Sequence, residues 1–394
     1  MSAEPQPASS DIAIIGGGII GSSVAYFAKQ LIPDARVCVI EPDPTYEFAS
    51  TPRASGGCRV QFTCPENIDM SLFSLQFIRD FARHMSVGDT PAEVNWVEGG
   101  YLFIVPPEHV ASLEANARLQ IARGCNVDLL SPSDLKERFP SIDVADLGGG
   151  AYTPRDGWCD PYSLLWGFRK KAQSLGATYI NDKVVSAEVT SNHVGALRLQ
   201  GGGRLAASYV VNAAGAWARE VAKMMGMDLP ISPLRRFEHY FTSGSPMERL
   251  PYVKDIARMA FRSEGAGFSG GVVDGNAERG FNFDVDHDYF ERIVWPAIAH
   301  RFPPLEAAKC HRTWSGLYEQ CELDGNPVIG RWNRGPQNLY TVAGFSGHGM
   351  MHAPAAGRAI AELIAYGQYA TIDLTRFGYQ RVEANAPYPE SGII

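Results

Sequence analysis

Two short apolar runs, each followed by a glycine-rich turn and a helical pattern, stand near opposite ends of the chain. Residues 11–15 (DIAII) predict a buried strand, and Ser22 to Leu31 has the spacing of a helix. Arg36 to Ile40 (RVCVI) predicts a second apolar strand. Near the other end, Leu339 to Ala343 predicts a strand that leads through residues 344–349 into a long helical pattern. This order of elements is typical of an α/β fold.

The region between these ends predicts a mixture of helices and strands. A β-hairpin is expected at Trp96 to Val105 and a helix at Glu108 to Gly124. A further helix is expected at Pro161 to Leu175, before a return to strands. Short β-like runs dominate from about residue 228 to 324, with one helix from Tyr289 to Phe302. We therefore expect a nucleotide-binding unit of α/β type interrupted by β-rich insertions.

The first glycine-rich turn has the spacing of a dinucleotide-binding motif. Gly16, Gly18 and Gly21 form G-x-G-x-x-G between the first strand and the first helix. Such glycines allow the tight turn, the approach of a pyrophosphate to the backbone, and close packing of helix on strand. Glu41 ends the second strand, where a carboxylate can accept hydrogen bonds from ribose hydroxyls. These features leave both FAD and NAD open.

Composition and charge narrow the class of protein. The chain has 394 residues with a net charge of −8, which disfavours nucleic acid and anionic membrane surfaces as partners. The seven cysteines are scattered without zinc-like spacing, so we expect reduced thiols and no metal site. Residues 1–10 are polar and lack a signal or transit pattern, and no apolar run is long enough to insert in a membrane. A cytoplasmic protein is expected.

Several longer stretches resemble a known family of flavoenzymes. They are GGGIIGSSVAYFA at 16–28, SGG at 55–57, DGWCDPYSL at 156–164, VVNAAGAWA at 210–218, WSGLYE at 314–319, DGNPVIG at 324–330 and AGFSGHGMMHAPAAGRAIAELI at 343–364. In this order the chain resembles the D-amino-acid-oxidase superfamily of FAD enzymes, in its glycine oxidase and sarcosine oxidase or dehydrogenase branch. Shorter stretches, CRVQFTCPENIDMSLFS and TIDL, are similar to a mitochondrial subfamily linked to complex I assembly.

The resemblance implies an α/β fold in which a Rossmann-like FAD-binding domain is interleaved with a β-rich (α+β) substrate domain. The expected FAD-binding segments are 11–85, 150–225 and 325–380. The expected substrate domain comprises 86–149 and 226–324.

The resemblance also implies which residues contact an extended FAD. They are Gly16, Gly18, Ile20, Gly21, Glu41, Pro42, Arg53, Ala54, Ser55, Gly56, Gly57, Val184, Ala214, Gly215, Trp217, Gly344, Gly347, His348, Gly349 and Met350. Backbone N–H groups at the helix start near 349 are expected to stabilise negative charge on reduced flavin. Residues 49–60 contain no histidine, and the position two before Tyr318 is Gly316, so the usual attachment points are absent and non-covalent FAD is expected.

The implied reaction is transfer of a hydride from the carbon next to a substrate nitrogen to flavin N5, giving an imine that hydrolyses. The substrate would be a secondary or N-substituted amine or amino acid, and the electron acceptor O2, a quinone or an electron-transfer protein. His348, Tyr318, Arg59 and Arg262 are the candidate catalytic and substrate-binding residues. Weaker candidates are Tyr101, Tyr252, Arg235 and Arg236.

The substrate side departs from the family pattern. The lysine that sarcosine oxidases carry three residues after the loop histidine corresponds to Met351, and the partner arginine falls near Phe62. Three alternatives follow: a carboxylate held in another geometry, an amine without a carboxylate, or a flavoprotein with an assembly or scaffold role and little turnover. A NAD-dependent dehydrogenase is a further alternative.

Overall fold

The computed structural model describes residues 7–190, 192–257 and 259–391. Residues 1–6 lie outside this range, and Ser9 and Ser10 belong to the first strand. The strands are β1 Ser9–Ile15, β2 Val37–Glu41, β3 Gly57–Cys58, β4 Tyr101–Val105, β5 Asp128–Leu130, β6 Gly149–Thr153, β7 Gly157–Trp158, β8 Thr178–Asn181, β9 Val184–Val189, β10 Val194–Leu199, β11 Arg204–Asn212, β12 Ile231–Ser243, β13 Tyr252–Asp255, β14 Met259–Glu264, β15 Gly267–Val272, β16 Ala308–Cys321, β17 Val328–Arg331 and β18 Leu339–Ala343.

The helices are shorter in the second half of the chain, apart from one of 18 residues. They are α1 Ile19–Leu31, α2 Pro65–Arg79, α3 Phe81–Met85, α4 Val110–Ala122, α5 Pro132–Arg138, α6 Pro161–Ser174, α7 Ala218–Met224, α8 Trp295–Arg301, α9 Gly349–Tyr366 and α10 Gln380–Glu383.

The first sheet is mainly parallel and lies between two apolar layers. Its order is β17-β18-β11-β1-β2-β8, with β10 and β9 attached to β11 as an antiparallel ribbon. Ile12 and Ile14 of β1 pack towards α1, α2, α6 and α9, whereas Ala13 and Ile15 pack on the other face towards α7. Burial of both faces explains why this strand is a continuous apolar run rather than an alternating one.

The second sheet is largely antiparallel and takes its strands from two separate parts of the chain. Its order is β16-β12-β15-β14-β13-β4-β6-β5. Its longest pairing joins β12 to β16, from the Ile231–Cys321 pair to the Ser243–Ala308 pair. Strand β6, where the second predicted FAD-binding segment begins at residue 150, pairs with β4 and β5 in this sheet. The strand itself therefore belongs to the second sheet.

Two local predictions differ from the structure. The hairpin expected at Trp96 to Val105 is wrong, because only β4 forms and Val97 instead makes an isolated antiparallel bridge with Trp158. The helix expected at Tyr289 to Phe302 begins with a π-helical segment, Phe290–Val294, before α8. Other predicted elements, including α4, α6 and β18, are confirmed within a few residues.

In the part of the chain that the structure describes, no helix has the length and apolar character needed to cross a bilayer. All seven cysteines are unpaired there, and only Cys310 is not fully buried. Within the same residues no cluster of three or more His, Cys, Asp or Glu side chains is placed to hold a metal ion.

Candidate active site

A deep cavity of about 830 Å³ runs between the two sheets. Its walls come from the β1–α1 turn, the 41–59 region, the 213–217 loop, β12, β13, β16 and the loop before α9. The loop at 50–57 is tied to β16 because Ser50 Oγ donates to the Leu317 carbonyl at 2.6 Å and Trp314 Nε1 donates to the Arg53 carbonyl at 3.1 Å. The topology thus brings both ends of the chain to one site.

The N-terminus of α1 opens into this cavity through the first glycine motif. Gly16 has φ +98°, and a Cβ there would lie 2.5 Å from the Ala213 carbonyl oxygen, so only glycine fits without displacement. Gly18 is the N-cap and has no side chain to cap the helix, and Thr51 Oγ1 accepts only the Ile19 N–H, at 3.5 Å, which leaves the next backbone N–H groups of the helix start for a ligand. A Cβ at Gly18 would meet nothing closer than Thr51 Oγ1 at 4.0 Å. These features form a cradle for a phosphate group.

Glu41 stands at the end of β2 beside this cradle. Its Oε2 accepts the N–H of Gly17 at 2.8 Å, and its Oε1 accepts the N–H of Asp43 at 3.0 Å. Burial raises the pKa of this carboxyl, and the two backbone donors oppose that shift. The carboxylate lines the cavity with acceptor capacity left for hydroxyl groups.

The N-terminus of α9 opens into the same cavity from the opposite side. Its N-cap is His348, whose side chain makes no capping hydrogen bond, and Gly347, Gly349 and Met350 line the wall. Gly347 has φ +104°, and a Cβ there would lie 2.3 Å from the Tyr318 ring. The glycine therefore lets this loop approach the tyrosine closely.

Two buried histidines on α9 and its cap form a pair. His348 Nδ1 lies 3.1 Å from His352 Nδ1, and His352 Nε2 lies 2.8 Å from Ser71 Oγ. Burial lowers the pKa of His348 to about 3, and it lowers the pKa of His352 well below its ordinary value. One Nδ1 must donate and the other must accept, so the accepting ring is neutral, and burial disfavours a charge on the other ring.

Two cations reach one wall of the cavity around a single aromatic ring. The Arg59 guanidinium carbon lies 5.2 Å from the Phe103 centroid and 3.9 Å from that of Phe62, and Lys254 Nζ lies 5.7 Å from the Phe103 centroid. Burial lowers the pKa of Lys254 to about 7 and also lowers that of Arg59. No carboxylate of the described chain pairs with either cation within 4 Å. Arg59 Nη1 donates to the Gln61 carbonyl, and the remaining donors of Arg59 and the ammonium of Lys254 are available to an anion.

A carboxylate lines another part of the same wall. Glu238 on β12 accepts a hydrogen bond from Ser269 Oγ at 2.7 Å, and burial raises the pKa of its carboxyl to about 7. Tyr252, whose hydroxyl lies 2.8 Å from Ser55 Oγ, is stacked on Tyr101 with centroids 4.5 Å apart. Tyr318 completes this tyrosine wall.

A second half-buried carboxyl belongs to Glu319. Its Oε2 accepts the N–H of Gly344 at 3.0 Å, and its backbone carbonyl accepts the N–H of Ser346 at 3.1 Å. Burial raises the pKa of this carboxyl to about 7. Glu319 thereby fixes the start of the loop that precedes α9.

Most of the predicted site residues lie together on this cavity. Those that line it are Gly16, Gly18, Ile20, Glu41, Pro42, Arg53, Ala54, Ser55, Gly56, Gly57, Val184, Ala214, Gly215, Trp217, Gly347, His348, Gly349 and Met350, with Arg59, Tyr318, Tyr101, Tyr252 and Arg236.

Four candidates lie behind the wall instead. Gly21 packs against the Gly16 carbonyl, where a Cβ would come within 1.9 Å, and Gly344 donates to Glu319. Arg262 turns away because its guanidinium binds the Ser55 carbonyl and the Glu264 carboxylate. Arg235 donates to the Asp284 carbonyl outside the cavity. The prediction that Arg262 binds a substrate anion is therefore not supported.

The polar lining residues that were not expected from the sequence include Lys254, Glu238 and Glu319. Lys254 follows Tyr252 by two positions, so strand alternation puts both side chains on one face. That spacing was a usable signal once Tyr252 was a candidate.

Comparison with known proteins identifies the class. Residues 11–363 match the family described as FAD dependent oxidoreductase, the D-amino-acid-oxidase (DAO) group. The chain belongs to this family, and the resemblance seen in its motifs is confirmed.

The relatives include enzymes of amino acid oxidation. The chain is 35% identical over 429 residues to FAD-dependent oxidoreductase domain-containing protein 1 of Xenopus laevis, covering 98% of this chain and 85% of that protein. It is 26% identical over 381 residues to glycine oxidase of Geobacillus kaustophilus, covering 94% and 97% respectively. The crystal structure of L-proline dehydrogenase from P. horikoshii matches with a TM-score of 0.86 and 28% identity, covering 97% of this chain and all of that one.

The cavity fits FAD, the cofactor of this family. The glycine turn at the start of α1 suits the pyrophosphate, Glu41 suits a ribose, and the start of α9, where the His348 side chain makes no capping hydrogen bond, suits the electron-rich edge of a reduced flavin. None of the described cysteines lines the cavity, and Cys58 and Cys321 are buried behind it. The geometry therefore agrees with non-covalent binding.

Proposed function

We propose that this protein is an FAD-dependent oxidase or dehydrogenase of a secondary or N-substituted amino acid. Bound FAD supplies the acceptor, at its N5, for the hydride that leaves the carbon next to the substrate nitrogen, and the resulting imine hydrolyses in water. The protein binds and orients the substrate and keeps its reacting carbon in a water-poor cavity.

The observation that carries this proposal is the cation pair at Phe103. Arg59 and Lys254 line the same cavity as the α9 loop, and neither has a carboxylate partner in the described chain. A carboxylate of the substrate supplies that partner and fixes the orientation of the rest of the molecule. This geometry replaces the family clamp, whose usual positions hold Met351 and Phe62 here.

The relatives support the same substrate class. Proline is a secondary amine, and the P. horikoshii enzyme is described as an L-proline dehydrogenase. Glycine oxidase acts on an amino acid by its name. A carboxylate next to an oxidisable C–N bond is common to both.

A flavoprotein with an assembly or scaffold role is the second candidate. Phe62 packs on the face of Arg59, and its ring centroid lies 5.4 Å from that of His348, so an apolar ring occupies the neighbourhood where relatives place an arginine. Because the Phe62 ring fills this space, the second candidate function predicts slow turnover of the substrates that the relatives oxidise. The identity of the electron acceptor (O2, a quinone or an electron-transfer protein) stays a prediction. The cytoplasmic location also stays a prediction.

Product analysis tests the proposal. The FAD-loaded protein is incubated with sarcosine, L-proline and other N-substituted amino acids, with O2 in one series and a soluble quinone in another. Aldehyde, keto acid or cyclic imine detected by mass spectrometry supports the enzyme. Absence of product with every compound and both acceptors favours the assembly role.

A further inference from the structure

The cavity contains a carboxylate as well as two cations, and nothing in the described chain neutralises it. Glu238 accepts from Ser269 Oγ, and no lysine, arginine or histidine of the described residues lies within ion-pair distance of its carboxylate. The nearby Arg262 is engaged by Glu264 and the Ser55 carbonyl. A half-buried carboxylate without a cation is costly unless a ligand supplies one.

Three tyrosines of the cavity wall, Tyr101, Tyr252 and Tyr318, lie between the Glu238 carboxylate and the two cations. Glu238 acts electrostatically on Tyr252, Tyr252 stacks on Tyr101, and Tyr101 lies within the field of Arg59. Tyr318 is within electrostatic reach of both Glu238 and Arg59. The carboxylate and the cations thus face one space from different positions on its wall.

We propose that Glu238 binds the substrate's nitrogen and accepts its proton, so that the site selects zwitterionic amino acids held by Glu238 at the amine and by Arg59 and Lys254 at the carboxylate. This inference rests on the proposed function and assigns its substrate class.

The proton transfer completes the chemistry that the oxidation requires. An N–H bond of the bound ammonium breaks, and the proton forms an O–H bond with the Glu238 carboxylate. The electron pair of that bond stays on the nitrogen, which becomes a neutral amine with a lone pair. That lone pair then assists departure of the hydride from the neighbouring carbon, and the proton later leaves to solvent. Burial raises the pKa of the Glu238 carboxyl to about 7, which makes it a stronger base than an exposed glutamate.

Binding to the reduced holoprotein tests the inference without turnover. FAD-loaded protein is reduced with dithionite and titrated anaerobically by calorimetry with two matched pairs of probes: L-proline with tetrahydrofuran-2-carboxylate, and sarcosine with methoxyacetate. In each pair an ether oxygen replaces the amine. We expect the amino acid of at least one pair to bind about tenfold or more tightly than its ether, because only the amino acid has a cationic nitrogen.

Variants assign that preference to a residue. In Glu238→Gln the tenfold preference falls to about one while the ether's affinity is retained. In Lys254→Met both members of the pair weaken together. Glu114→Gln is the matched control, since Glu114 pairs with Arg118 on the exposed face of α4 and does not line the cavity, and it keeps the wild-type preference. Retained visible flavin absorbance verifies that each variant is folded.

The outcomes separate this inference from the proposed function. If the ethers bind in a Lys254-dependent way but Glu238→Gln leaves the amine preference unchanged, the role of Glu238 is overturned and the anion site stands. If no carboxylate compound binds the wild-type protein at millimolar concentration, the proposed function fails, and this inference fails with it.

Discussion

Lys254 Nζ lies 5.7 Å from the centroid of the Phe103 ring, and the Arg59 guanidinium lies over the same ring. Lys254 lies on β13 and Arg59 directly follows β3, so the two residues are far apart in sequence. Their positive charges repel each other in the cavity, and each lowers the free energy of a bound anion. A carboxylate between them relieves the repulsion.

Replacement of Lys254 by methionine tests this cation pair. The change keeps an unbranched side chain of similar length and removes the charge, so we expect KM for an amino acid substrate to rise about tenfold or more with a smaller change in kcat. Steady-state kinetics measure both constants. Lys309→Met, at a position on β16 away from the cavity lining, is the control and keeps the wild-type KM. An unchanged KM in Lys254→Met would remove Lys254 from the site.

The binding of anions should depend on pH in a defined direction. Burial lowers the pKa of Lys254 to about 7, so its ammonium is present below that pH and is lost above it. Arg59, Asp255 and His348 face it, and of these His348 is neutral throughout the range. We expect the Kd for tetrahydrofuran-2-carboxylate to rise between pH 6 and pH 8. The same titration of Lys254→Met should show a shallower rise, because only the ionisation of cavity carboxyls such as Glu238, whose pKa burial raises to about 7, then remains. A wild-type profile no steeper than that of the variant would contradict the assignment.

Comparison of Gly16→Ala with a control glycine variant should show whether loss of FAD comes from the glycine motif itself or from backbone strain in general. The new Cβ would approach the Ala213 carbonyl, and φ is +98°, so we expect loss of FAD retention and a destabilisation of about 2 kcal/mol or more. Gly124→Ala is the matched control, since its φ is +89° but nothing lies within 4 Å of the added Cβ. It should cost about 1 kcal/mol and keep FAD. FAD content and thermal unfolding distinguish the two variants.

Acid precipitation of the protein should release FAD into the supernatant without chemical change. Because no cysteine of the described chain lines the cavity, we expect all flavin absorbance in the supernatant. Flavin that stays with the precipitated protein would show a covalent bond, and peptide mapping would locate it. A Cys58→Ala variant then tests whether the flavin is attached to Cys58, which lies between the cavity-lining residues Gly57 and Arg59.

Glu319→Gln should shift the reduction potential of the bound FAD. The wild-type carboxyl has a pKa of about 7 and is therefore increasingly ionised above that pH, where its negative charge disfavours an anionic reduced flavin. Removal of that charge should raise the potential at pH 8 by roughly 30 mV, which corresponds to about 1.4 kcal/mol for two electrons. Dye-coupled anaerobic titration measures it. Equal potentials in variant and wild type would place the carboxyl outside the flavin's field.

The cofactor half of the site was predictable because its signals are local. Gly16, Gly18 and Glu41 belong to one βαβ unit, and Gly347 and His348 directly precede α9, which begins at Gly349. The substrate half depends on pairing between distant strands. Lys254 reaches the cavity because β13 pairs with β4, in the register Tyr252 to Tyr101.

Errors arose where a distant partner decided the conformation. Val97 forms a bridge with Trp158 in place of a hairpin with its own neighbours. Arg262 has the same residue type as a substrate-binding arginine, and only the position of Glu264 and the Ser55 carbonyl turns it away. The Val97 bridge and the bond of Arg262 to the Ser55 carbonyl join residues far apart in sequence, so sequence alone does not give them, whereas Glu264 lies only two positions from Arg262 on β14.

Anaerobic reduction of the bound flavin tests the central claim most directly. The visible spectrum of the FAD-loaded protein is recorded before and after addition of sarcosine, L-proline and other N-substituted amino acids, and again with pyrrolidine, an amine without a carboxylate. We predict that the flavin bands bleach with at least one amino acid and remain unchanged with pyrrolidine. Bands that persist with every amino acid, or a protein that binds no FAD, would contradict the account.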